Sequence, residues 1–262
     1  MASLPLNLHG YGEGAQGPLP VLLIHGLFGA AANWRGIARR LAAQRRVLVP
    51  DLRNHGDSPW GERMDYPAMA GDLAALLDAQ GVERAHLVGH SMGGKVAMWL
   101  ALTEPRRVGS LVVADVAPLR YESRFGGLIT ALLRLPLTEL RDRQDADARL
   151  REGISTPALR GYLLQNLVQD AQGRWRWRLN LPVIADSMDA ILGFPDPEGR
   201  QFPGPALFLF GGRSSYVTAE ALPRIRALFP LARLRSIPEA GHWIYAEQPE
   251  PFTAAVAGFL KD

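Results

Sequence analysis

Gly89-His90-Ser91-Met92-Gly93 holds a serine between two glycines, directly after the apolar run Ala85-His86-Leu87-Val88 and directly before the helix-like stretch Gly94–Leu102. Between a strand and a helix, G-x-S-x-G is the spacing of an exposed nucleophile on an abrupt turn. The strained backbone of such a turn lifts the hydroxyl above the sheet edge. Side chains two residues to either side would collide there, so both positions call for glycine. The helix that starts at the turn aims its N–H groups and dipole at negative charge forming beside the hydroxyl. The chemistry this suits is attack on a carbonyl through a covalent acyl intermediate.

A serine hydroxyl needs a base, and six histidines are available. His86 is on the strand, His90 is beside the serine with its ring packed or turned away, His9 precedes the sheet, and His55 lies in a loop. His242, in Glu239-Ala240-Gly241-His242-Trp243, follows the last strand and so leaves the same sheet edge as Ser91. An acid must then orient the imidazole and balance its charge. The turn Gly211-Gly212-Arg213-Ser214-Ser215, after the strand at 206–210, contains no carboxylate. Asp115, at the end of Leu111-Val112-Val113-Ala114, is the expected substitute, ahead of Asp186, Asp189 or Asp196; its bland role would be to cap a turn. Donors for an oxyanion would come from the N–H groups of Leu27, in His25-Gly26-Leu27-Phe28-Gly29, and of Met92. The turn Asp51–Ser58 reads as loop-organising, with His55 structural. No P-loop or metal-ligand spacing is present.

These residues need a scaffold that brings distant segments to one rim. Short β-rich runs at 21–24, 47–50, 86–88, 111–114, 206–210 and 234–237 alternate with helical patterns, which predicts an α/β fold with a mostly parallel, doubly wound sheet. Leu4–His9 is a candidate antiparallel edge strand. Met69, Leu73, Leu76, Leu77 and Gln80 keep helical spacing over 65–80, and Gly81 supplies the stop. A last helix is expected around 251–260. From 118 to 202 no strand-like run recurs, and two helical stripes stand out: Phe125, Leu128, Ile129, Leu132 and Leu133, then Leu159, Leu163, Leu164, Leu167 and Val168. Between them Glu139/Arg143 and Asp147/Arg151 have i,i+4 spacing on a charged, solvated face. The expected organisation is therefore a core of 1–117 and 203–262, with 118–202 as a helical cap inserted after the strand ending at Asp115. Trp175 and Trp177, on one side of an alternating run, would wall a substrate pocket with Phe28, Phe125, Leu128 and Trp243.

The 262 residues, 47% of them hydrophobic, suffice for one large core. There is no cysteine, so disulfides and thiolate chemistry are excluded. The net charge of +3 is not gathered into a basic face, which argues against a nucleic-acid partner. No secretory signal or run of membrane-spanning length is visible, so a cytoplasmic protein is expected. The sequence leaves the oligomeric state open.

Taken together, the stretches 25–29, 51–56, 89–95, 115–118, 211–217 and 240–243 resemble the α/β-hydrolase fold superfamily, and within it the YbfF-type bacterial esterases. The resemblance spans nearly the whole chain. Asp115 with the acid-free Gly-Gly-x-Ser turn is its most discriminating part. It implies a serine esterase or thioesterase (an EC 3.1 hydrolase) that needs no cofactor, acts on small-molecule acyl esters, and uses Ser91, His242 and Asp115. A haloperoxidase or C–C bond hydrolase would use the same Ser91/His242 pair. A non-catalytic ligand receptor or scaffold is the alternative of another class.

Overall fold

The computed structural model describes residues 3–13, 19–122 and 125–260. In chain order the elements begin with β1 (Leu8–Tyr11), β2 (Val21–Ile24), α1 (Arg35–Leu41), β3 (Val47–Pro50), α2 (Tyr66–Ala79), β4 (Ala85–His90), α3 (Met92–Thr103) and β5 (Val108–Ala114). A long excursion follows: α4 (Gly126–Arg134), α5 (Arg143–Leu150), α6 (Pro157–Leu164), β6 (Leu167–Gln169), β7 (Trp175–Trp177), α7 (Leu181–Asp186) and α8 (Met188–Leu192). The chain then returns with β8 (Ala206–Gly211), α9 (Leu222–Leu228), β9 (Ala232–Ile237), α10 (Ile244–Glu247) and α11 (Pro249–Phe259).

Seven strands form one sheet in the order β1-β3-β2-β4-β5-β8-β9, parallel except for β1, which runs antiparallel along β3. The edge strand falls at 8–11, later than the 4–9 expected. Strands β2 to β5 are buried on both faces, which is why they read as unbroken apolar runs. Their side chains still alternate between two separate clusters. Leu22 and Ile24 join Leu48, Leu87 and Val113 on the face covered by α2, α3 and the excursion, while Val21 and Leu23 join Val49, Val88 and Val112 under α1 and α11. Such a doubly wound sheet sends the loops after β2, β4, β5, β8 and β9 to one edge.

Asp65 caps α2 by accepting from the Ala68 amide at 2.8 Å, and Gly81, at φ 63°, follows its end. The excursion departs from expectation in its secondary structure and in its charge pairing. Leu167 and Val168 do not extend the helix of Leu159, Leu163 and Leu164; they pair with β7 in an antiparallel hairpin. The helix stops at Leu164, where the Asn166 side chain donates to the carbonyls of Leu163 and Phe28; the Asp170 carboxylate then accepts the amides of Gln172 and Arg174, and Gly173, at φ 76°, turns the chain back. The charged face also pairs differently. Arg143 donates to the Leu167 carbonyl, leaving Glu139 to Arg149, whereas Asp147–Arg151 forms as expected at 3.3 Å.

Candidate active site

β4 ends at His90 and α3 starts at Met92, so Ser91 carries the whole change of direction, at φ 52° and ψ −121°. This region is unfavourable for a side-chain-bearing residue and persists only where neighbours enforce it. They do so closely. A Cβ on Gly89 would stand 2.2 Å from the Gly93 carbonyl oxygen, and one on Gly93 would stand 2.4 Å from the carbonyls of Ile24 and His25. The Ser91 amide is held by the Ala114 carbonyl of the neighbouring strand, at 3.0 Å.

Three side chains from separate loops meet at this turn. His242 Nε2 lies 3.2 Å from Ser91 Oγ, and His242 Nδ1 lies 2.7 Å from Asp115 Oδ2. With Nδ1–H donating to the carboxylate, Nε2 presents its lone pair to the serine hydroxyl. Asp115 is fully buried, at φ 53°, and its other donors come from the turn after β8: the Gly211 amide at 3.0 Å and Ser214 Oγ at 2.5 Å. The serine that stands in the acid-free turn is thus a partner of Asp115. Glu247 fixes the loop carrying His242 by accepting the amides of Gly241 and Trp243, and His90 Nε2 donates to the His242 carbonyl at 2.9 Å. Burial pulls the His90 ring well below the ordinary histidine range, so it stays neutral. Sequence reasoning gave neither Glu247 nor His90 a role here.

The turn after β2 is equally constrained. Phe28 has φ 61°, its amide donates to His55 Nε2 at 3.1 Å, and Gly29 closes a tight turn onto the Gly26 carbonyl. His25 and His55 are both buried and accept main-chain N–H groups, which suits neutral rings; burial lowers both, His55 to about 3. Asp51 accepts the amides of Ala31 and Asp57, so the 51–58 turn does organise the loop. Met92 is the first residue of α3, and its N–H therefore has no intrahelical acceptor.

Leu27, Ser91 and Met92 share the wall of a cavity of about 540 Å³, which Phe125, Leu119 and Tyr121 also line. Of the expected pocket residues, Phe125 lines it and five do not. Phe28 lies buried behind Phe125, with ring centroids 6.2 Å apart, and Leu128 is in the core. Trp175 and Trp177 belong to the hairpin, which folds back onto the 137–140 segment, where Trp175 Nε1 donates to the Leu140 carbonyl. Trp243 packs against Tyr162.

Residues 20–249 match the family profile described as the alpha/beta hydrolase fold. The chain belongs to that family. Among curated α/β-hydrolase relatives, the sn-1-specific diacylglycerol lipase ABHD11 of Mus musculus is 41% identical over 92% of this chain and 80% of its own length. The esterase YbfF of Escherichia coli is 37% identical over 93% of both chains. A solved structure described as a marine microorganism esterase superposes with TM-score 0.93 at 35% identity, covering 98% of this chain and all of its own.

In this α/β-hydrolase the role of one buried charge was not read from the sequence. Lys95, a turn beyond Ser91 on α3, is only 2% exposed and lines the same cavity. Its ammonium donates to the carbonyls of Leu119, Leu192 and Gly193 at 2.7, 2.9 and 2.6 Å. The last two close the C-terminal end of α8, where carbonyls lack intrahelical donors. Burial, and then Arg120, bring Lys95 down to about 7. No sequence pattern distinguishes this lysine from a surface lysine in a helix.

Proposed function

We propose that the chain hydrolyses carboxylic esters or thioesters through an acyl-enzyme on Ser91. The observation that carries this reading is the unbroken hydrogen-bond chain Ser91–His242–Asp115 opening into a walled cavity. Ser91 Oγ attacks the carbonyl while His242 Nε2 takes its proton, and the N–H groups of Leu27 and Met92 hold the oxyanion. His242 returns the proton to the departing alcohol or thiol, then draws one from water to release the acid. Asp115 keeps Nδ1 protonated and balances the imidazolium. Segment 118–202 acts as a cap that supplies the acyl side of the pocket, and its apolar wall of Leu119, Phe125 and Leu192 suits a medium acyl chain. The names of the mouse and bacterial relatives, a diacylglycerol lipase and an esterase, support ester substrates. A small-molecule substrate in the cytoplasm is the expected setting.

The deciding experiment labels Ser91 with a fluorophosphonate and then offers nitrophenyl esters of increasing chain length with matching acyl thioesters. Labelling that is lost in His242→Ala, with turnover rising from acetyl to octanoyl, is expected. Rates that fall steadily along the series would remove the acyl-pocket assignment. Labelling without any ester or thioester turnover would favour the C–C bond hydrolase or haloperoxidase alternatives.

A further inference from the structure

Tyr216 follows the carboxylate-free turn after β8 and lines the cavity with Ser91. Its ring lies on the face of the His242 imidazole, with centroids 3.9 Å apart and planes 18° from parallel. We propose that Tyr216 is a positioning residue that holds the His242 ring by its face and favours that ring when it carries the proton of Ser91. The inference rests on the acyl-enzyme reading above.

Neutral aromatic rings prefer offset or edge-on packing. The other rings around His242 meet it at an angle: His90 sits at 4.8 Å and 48°, and Trp243 at 5.8 Å and 62°. The Tyr216 pair is closer and nearly parallel, which sets one π face against another. A cation over a π face is the opposite case, since the ring quadrupole attracts it. The contact therefore strengthens when the proton passes from Ser91 Oγ to His242 Nε2 as the Oγ–carbon bond forms. An interaction that is stronger in the transition state than in the ground state accelerates the step.

Tyr216 is itself held in place. Its amide donates to Ser214 Oγ at 3.2 Å, and its carbonyl accepts the Tyr121 hydroxyl at 2.7 Å. Because Ser214 also donates to Asp115, a single turn orients the acid and covers the base. Among the described residues, the charged and titratable groups facing His242 are Asp115 after β5, Ser91 and the neutral His90 at the end of β4, and Tyr216 itself, backed by Tyr121. Glu247 of α10 holds the main chain of the loop. Replacing Tyr216 leaves Asp115 hydrogen-bonded, so a displaced pH profile would report the stacked ring.

Wild type, Tyr216→Phe and Tyr216→Leu are compared across mildly acid to mildly alkaline pH by two measurements. One is kcat and KM on a nitrophenyl ester. The other is the second-order rate of fluorophosphonate labelling of Ser91, which needs the neutral imidazole but no particular ester. Tyr216→Phe should stay within about threefold of wild type, with its profile in place. Tyr216→Leu should lose about tenfold in kcat with little change in KM, and the acidic limb of both profiles should move about half to one unit lower in pH. A rate loss with the limb unmoved would reduce Tyr216 to packing and overturn the proposal, as would a Phe variant as impaired as the Leu variant. Should the Leu variant not fold, Tyr216→Met serves in its place. If wild type is labelled but turns over no ester, the ester reading fails, and the labelling profiles still decide the role of Tyr216.

Discussion

Phe28, Ser91 and Asp115 all sit at positive φ, and all three lie at the sheet edge where the strands end. Non-glycine residues adopt this region at a cost of about 1–3 kcal/mol each and are kept there by what surrounds them. For Ser91 and Asp115 the strain aims both side chains at His242. Ser91→Ala should fold normally and lose about 10⁴-fold or more in turnover, read as kcat on a nitrophenyl ester. Asp115→Asn should lose about 10³–10⁴-fold, because an amide cannot keep Nδ1 protonated and balance the imidazolium. Near-normal rates in Asp115→Asn would break the triad assignment. Ser91 and His242 could be read from their motifs and chain order. Asp115 was reached by eliminating the acid-free turn, whereas the donors that hold it, Gly211 and Ser214, needed coordinates, because hydrogen bonds across a sheet leave no local trace.

Among the elements, the strands were the most legible part. The runs at 21–24 and 47–50 match their strands residue for residue, because a strand buried on both faces has nothing but apolar side chains. The β6–β7 hairpin was illegible for the opposite reason. Leu167 and Val168 continue a helical period, but Asn166 bonds back to the Leu163 carbonyl where the helix ends, and the Asp170–Gly173 turn folds the two residues onto β7. Trp175 and Trp177 went with it, so the pocket drawn from their alternation did not form. Two substitutions test the elements around the elbow. Gly93→Ala places a methyl against two main-chain carbonyls that cannot retreat, so a lower Tm together with lost fluorophosphonate labelling is expected. Lys95→Met leaves the carbonyls of Leu119 and Gly193 without their donor, at about 1–3 kcal/mol for each such group. The unfolded chain keeps the Lys95 proton up to about its ordinary value of 10.5, while the folded chain releases it near 7. Stability from this site therefore rises with pH between those values. Thermal melts should show that rise in wild type and a flatter curve in Lys95→Met.

For the molecule as a whole, buried neutral histidines set the acid limit. His25, His55 and His90 are all lowered by burial, His55 to about 3, whereas the unfolded chain protonates them near 6.5. Below that pH the unfolded state binds more protons, so stability is present above about 6.5 and drains away as the pH falls toward 3. Unfolding midpoints should fall as the pH drops from 7.5 to 4.5, with net proton uptake on unfolding; a flat curve would show that these rings are not held neutral. The point where Lys95 binds the excursion has a separate consequence. Carbonyls 119 and 192 share one nitrogen, so the two ends of a stretch of some seventy residues are tied to the same point on α3. A movement at either end of that stretch is thereby passed to the helix whose first turn adjoins Ser91.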